Sequence, residues 1–324
     1  MKYTSVPEAY SSFRDSLIYA FETESEARDV EAKIINADTG DVIGRKKLYG
    51  VTAGEIDIAP YLRRAVRPTL PEQVRECGGV ECSLQVRVKV VIDGVESAAR
   101  RFIAARVDHT KPYQSLMTQI PQRTMACDEF DIISWFAHPE IAVEVVVEGF
   151  GKGHETLTIS PIGVGQQAVA VTALDFIDIP DTMRVTVMVD GVATTLVEYQ
   201  IKPNLHGARR VAWLNDQLTP ELYTFPLRKS VLVKAARTSM ETIWGREAAA
   251  LECENELKLI SAYEPQAQIE ALTGILSAER VWLVEGGVPQ KVDLLTDRVL
   301  VAAGEEMSVV EVDIRAAKEG VRLW

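Results

Sequence analysis

Histidine and cysteine are scarce in this chain, four of each among 324 residues, and that scarcity removes most metal and nucleophile chemistry. His109, His138, His154 and His206 form no two-histidine helical motif, and none lies beside a Gly-x-Ser-x-Gly elbow. Each is expected in a loop or at the surface. Cys77 and Cys82 are close, in Cys-Gly-Gly-Val-Glu-Cys, whereas Cys127 and Cys253 stand apart. No further soft ligand follows at a zinc-finger or ribbon spacing. Reduced thiols are expected, with a Cys77–Cys82 disulfide as the alternative in an oxidising compartment. No apolar run reaches membrane-spanning length, and the N-terminal ten residues lack an apolar h-region. Neither membrane insertion nor export by an N-terminal signal is therefore expected. Basic charge is short as well: the net charge is −12, which argues against a nucleic-acid surface. The small basic cluster of Arg63, Arg64 and Arg67 is expected to be a solvated face.

What the chain does contain is strand grammar. Hydrophobic residues make up 47% and charged residues 25%, enough for a substantial core, and the length suits two or three domains. The pattern implies tandem Ig-like or fibronectin-like β-sandwich domains over residues 1–108 and 109–204. A β-rich C-terminal domain with one or two short helices follows over 205–324. In the first, 82–92 alternates with Leu84, Val86, Val88 and Val90 on one face, and Asp93-Gly94 closes a hairpin. Asn36 to Gly40 supplies another turn, 54–62 reads as a strand entering a helical turn, and 70–79 reads as an exposed loop. In the second, 141–148, 155–160, 168–172 and 184–189 are strands, and Asp190-Gly191 is a second hairpin turn. In the third, 249–261 alternates, with Leu251, Cys253, Leu257 and Leu259 expected toward the core. Ile269, Leu272, Ile275 and Leu276 have helical spacing broken at Gly274. Residues 279–285 and 290–295 pair across Gly286-Gly287, and 308–314 is a closing strand.

Two landmarks recur in order. Ile56-Asp-Ile-Ala-Pro60 parallels Ile177-Asp-Ile-Pro180, and 87–95 parallels 184–192. Together they imply that the second sandwich duplicates the first.

Chemistry-bearing residues are thin. Gly149-Phe-Gly-Lys-Gly153 lacks the Ser or Thr after lysine that a phosphate loop needs, and is expected to be a hairpin turn. Asp128, Glu129 and Asp131, and more weakly Asp175 and Asp178, are acidic groups without calcium-loop spacing. They either hold calcium or line solvated loops. Trp135 and Phe136 either stack on a sugar ring or plug the sandwich. No catalytic residue and no cofactor is assigned.

The least generic stretch is Val211 to Phe225, where Val211-Ala-Trp-Leu and Tyr223-Thr-Phe read as two strands joined by Asn215, Asp216, Thr219 and Pro220. Trp213, Tyr223 and Phe225 are expected to anchor the third domain's core or, if exposed, an interface. Two sandwich-like regions before Trp213-Leu-Asn-Asp and Tyr223-Thr-Phe resemble structural proteins encoded by phages and prophages of gut bacteria. There a hairpin like Val281-Trp-Leu-Val also occurs, and the opening strand is similar to Ala9–Tyr19. That resemblance implies a non-enzymatic virion component, tail- or baseplate-associated. Its partners would be itself or other virion proteins, and it would be made in the bacterial cytoplasm before joining the virion. Carbohydrate or host-surface recognition is the alternative.

Overall fold

Alternating sequence becomes strand almost throughout, and the fold is mostly β with two short α-helices among the described residues. The computed structural model describes residues 1–23, 27–118, 122–160, 163–203, 207–299 and 307–316.

The first region packs a three-stranded sheet (Lys2–Ser5, Ile18–Glu22, Ala53–Asp57) against a larger one. The larger sheet is ordered Val42–Val51, Arg28–Asn36, Gln85–Ile92, with Val95–Glu96 and Arg100–Ile103 also paired to the last. Period-2 alternation puts Ile34, Val88 and Val90 inside, facing Tyr19, Phe21 and Ile56. Pro60 opens the helix Ala59–Ala65, where its missing N–H costs nothing. Arg63, Arg64 and Arg67 are exposed, as expected, although Arg63 also donates to the Phe13 carbonyl. The 70–79 segment is a loop for most of its length, with Glu72, Gln73, Arg75 and Glu76 exposed as expected, but it is anchored at several points. Leu70 is buried, Gln73 N–H donates to the Gly287 carbonyl, and Gly78–Gly79 pairs with Val169 and Ala170. Its backbone polar groups find partners in the other two regions.

The second region repeats the arrangement. One sheet is ordered Tyr113–Ser115, Phe130–Ala137, Gly165–Thr172, Gly78–Gly79. The other is ordered Gln122–Ala126, Val192–Lys202, Thr182–Val189, Val143–Phe150, His154–Ile159. All pairings are antiparallel except that of Gln122–Ala126 with Val192–Lys202. Phe150 pairs with His154, so 149–153 is the hairpin turn the sequence suggests.

The likeness of the two regions extends to single hydrogen bonds. Asp93 and Gly94 have φ of 47° and 82°, Asp190 and Gly191 have 48° and 77°, the positive values a type I′ turn requires. The Asp93 carboxylate accepts from Glu31 N–H at 3.2 Å, and that of Asp190 accepts from Ala142 N–H at 3.1 Å. The other landmark does not superpose. Ile56 is buried at the end of a strand, whereas Ile177 is 91% exposed in a loop. The counterpart of Asp57 is instead Thr172. Asp57 accepts from Ala59 N–H and Thr172 from Leu174 N–H, each capping the turn that ends its strand.

The third region is built on a seven-stranded antiparallel sheet, with a small two-stranded one formed by Glu264–Pro265 and Met307–Ser308. The order of the seven strands is Pro220–Phe225, Arg209–Leu214, Val281–Glu285, Val288–Leu294, Glu311–Ala316, Gly245–Ile260, Leu227–Thr242. The helix Gln266–Thr273 and the 3-10 turn Gly274–Ser277 lay Ile269, Leu272 and Ile275 on Trp213 and Phe225. Helical spacing and the break at Gly274 are both as the sequence suggests. Among the described residues no helix is long and apolar enough to cross a membrane.

Candidate functional site: the three-way junction and the hairpin arm

Several strands are buried on both faces, and three of them, Phe130–Ala137, Arg209–Leu214 and Pro220–Phe225, meet at one place. In Phe130–Ala137 the odd residues Ile133 and Trp135 enter the second region's core. Phe130 and Ile132 face the first region's core. In Arg209–Leu214 and Pro220–Phe225, Val211, Trp213, Tyr223 and Phe225 fill the third core, while Ala212, Leu214 and Leu222 pack toward the first. Trp213, Tyr223 and Phe225 are thus core anchors. The Tyr223 hydroxyl also donates to Glu264 at 2.7 Å and accepts from Ala262 N–H at 3.0 Å. Burial, then the Glu264 charge, pushes its phenol up.

Trp135 and Phe136 are both fully buried, which corrects the sugar-stacking expectation. Trp135 lies between the two sheets, and Phe136 is walled by Tyr10, His109 and His138, with ring centroids 5.8, 6.3 and 5.2 Å away. Neither ring has a face left for a ligand.

The turn 215–219 ties the junction together, and Asn215 uses its whole amide to do so. Its Oδ1 accepts from Gln217 N–H at 2.8 Å and Thr219 N–H at 3.1 Å. Its Nδ2 donates to the Leu116 carbonyl at 2.9 Å and to Glu221 at 3.0 Å. Gln217 accepts from Arg106 N–H, and Arg14 donates to the Asp216 carbonyl. Glu221 in turn accepts from the backbone and hydroxyl of Thr118.

Beneath that turn lies a buried ionic cluster. Asp131 is 1% exposed and faces Arg123 at 2.8 Å and Arg210 at 3.4 Å. Arg210 also faces Glu129 at 3.6 Å and donates to Thr224, whose hydroxyl donates to Glu129 at 2.6 Å. Burial works against the Arg123 charge. The Asp131 carboxylate, with smaller contributions from Tyr199 and Glu221, more than offsets it, and the guanidinium is held above its usual range. Burial, then the Asp131 charge, pushes the Tyr199 phenol well up. Of Asp128, Glu129 and Asp131 only Asp128 is exposed, so that group is not a solvated loop, whereas Asp178 does lie exposed in a loop. Asp175 accepts from Cys77 N–H at 2.8 Å. Among the described residues no group of three or more His, Cys, Asp or Glu is placed to hold a metal. Cys77, Cys82 and Cys127 are free thiols, and His206 lies outside the described residues.

The second feature is an arm. Leu227–Thr242 and Gly245–Ile260 pair as one long hairpin, yet Glu311–Ala316 pairs only with Glu256–Ile260. Beyond Glu256 no described strand flanks the hairpin on either side. The flank-free length of eleven residues, Gly245 to Asn255, spans about 35 Å at strand rise. Val231, Leu232 and Val233 are 44%, 51% and 64% exposed. Being consecutive, they occupy both faces of the ribbon. At the tip Gly245 supplies the positive φ of 108°, and the loop residues Ile243 and Trp244 are 91% and 83% exposed. The alternation over 249–261 correctly marks a strand, and at its end Leu259 is buried and Leu257 half-buried. The side chains of Leu251 and Cys253 lie outside the described residues.

Ile243 and Trp244 were not singled out in the sequence. Their signal is an Ile-Trp pair in a two-residue hairpin loop, where Asn-Gly is the norm. No protein-family model matches the chain, and no curated protein matches it.

Proposed function

We propose that the protein is a non-enzymatic assembly component, of the tail- or baseplate-associated virion kind that its Trp213-Leu-Asn and Tyr223-Thr-Phe stretches resemble. The observation that carries this is the arm. A two-stranded ribbon is marginal in water by itself, and this one exposes apolar side chains on both faces and at its tip. Such surface is what contact with a partner covers. The rest of the molecule suits a part under load: strands shared between cores and a buried ionic cluster tie the three regions into one block. In that setting the chain is made in the bacterial cytoplasm and ends in the particle, with itself or other virion proteins as partners. Carbohydrate recognition, the alternative, loses the aromatics on which it rested, because Trp135 and Phe136 are buried.

Light scattering with negative-stain imaging across a concentration series tests this. Discrete oligomers, rings or tubes are the expected result, and a single-chain mass at every concentration would refute self-assembly.

A further inference from the structure

Among the described residues the arm presents two backbone edges with no flanking strand. Leu227–Thr242 is the last described strand of its sheet, and Gly245–Ile260 has no described neighbour on its outer edge from Gly245 to Asn255. Free edges recruit strands, and these two differ in charge. Over 233–242, opposite 245–255, the first strand carries two basic residues and one acidic residue. That part of the second carries one basic and three acidic. Identical edges of two copies would therefore meet like charge against like, whereas unlike edges attract.

We propose that the arm's partner is the arm of a second copy of this chain, the first strand of one adding to the second strand of the next. This rests on the assembly reading above and names its partner. The geometry is self-consistent. With arms pointing the same way, the outgoing strand of one copy lies beside the returning strand of its neighbour, so each new pairing is antiparallel, as within the arm. Every copy then donates one edge and accepts another. Such a head-to-tail contact closes into a ring or propagates as a filament. It also supplies the neighbouring strands that the isolated ribbon lacks, and it places exposed Val231, Leu232 and Val233 within a wider sheet.

The test uses the full chain and three variants, read by light scattering and analytical ultracentrifugation. In the first variant residues 233–255 are replaced by Asn-Gly, closing Leu232 onto its existing partner Glu256. It is expected to keep the native circular dichroism and to sediment as a single chain. The second variant, Glu252→Lys with Glu254→Lys, makes both strands basic. The third, Lys234→Glu with Arg237→Glu, makes both acidic. Each alone is expected to lose self-association, and an equimolar mixture to recover it, because mixing restores unlike edges at every contact. If the shortened chain retains the wild-type oligomer, the arm inference is overturned while assembly stands. A mixture that stays monomeric overturns the head-to-tail arrangement, and a wild-type chain that never associates overturns both.

Discussion

Asp131→Asn is the most searching substitution in the body of the protein, because it changes charge and almost nothing else. The carboxylate is 1% exposed, 2.8 Å from Arg123 and 3.4 Å from Arg210. Asparagine keeps the volume and leaves two buried guanidiniums short of a counter-charge. Arg210 retains Glu129 at 3.6 Å and Thr224 at 2.8 Å, so the larger loss falls on Arg123. Breaking a buried pair from one side costs about 3–5 kcal/mol, against about 0.5 kcal/mol or less for the exposed neighbour Asp128→Asn. Denaturant unfolding monitored by tryptophan fluorescence reads the difference as a lower midpoint at constant slope. Replacing both partners, Arg123→Met with Asp131→Leu, is expected to cost less than Asp131→Asn alone, since Arg123 is gone and Arg210 keeps Glu129. An Asp131→Asn chain as stable as Asp128→Asn would refute the view that this cluster is dry and charge-balanced.

Other predictions follow from the same geometry. Trp213→Ala removes a fully buried side chain from the third core and should cost about 3–5 kcal/mol, seen as a lower denaturant midpoint. Asn215→Ala removes four hydrogen bonds at the junction; at about 1 kcal/mol each less partial replacement by water, roughly 2–3 kcal/mol is expected in the same assay. Burial pushes the Cys77 and Cys82 thiols up to about 12, so iodoacetamide at pH 8 should label them only after unfolding, as peptide mass spectrometry would record. Because these pKa values are raised in the folded state, the stability they contribute is complete below about pH 9. It is lost as pH rises toward 12, and a melting temperature that did not fall over that interval would contradict the sign.

Local features of the chain were legible because their causes are local. The two Asp-Gly turns, the helical spacing of Ile269, Leu272 and Ile275, and the alternation over 82–92 each follow from backbone preference and side-chain period within a few residues. The sandwich character follows from those strands and their turns. What covers each strand depends on chain segments far away, and there sequence patterning is silent. The same Ile-Asp-Ile text is buried at Ile56 and exposed at Ile177, because a helix and a sheet close over one and nothing closes over the other. Alternation over 249–261 marks a strand, yet which part of it is flanked is set from afar: the described strand Glu311–Ala316 pairs with it from Glu256 to Ile260. Likewise Asp131 and Glu129 looked like solvated acids, since Arg210, some eighty positions further along the chain, arrives only when the third region folds against the second. Secondary structure and turn chemistry were thus determined by the sequence itself. The tertiary structure decided which faces are covered, which charges are paired, and that a hairpin runs on beyond the last described strand that flanks it.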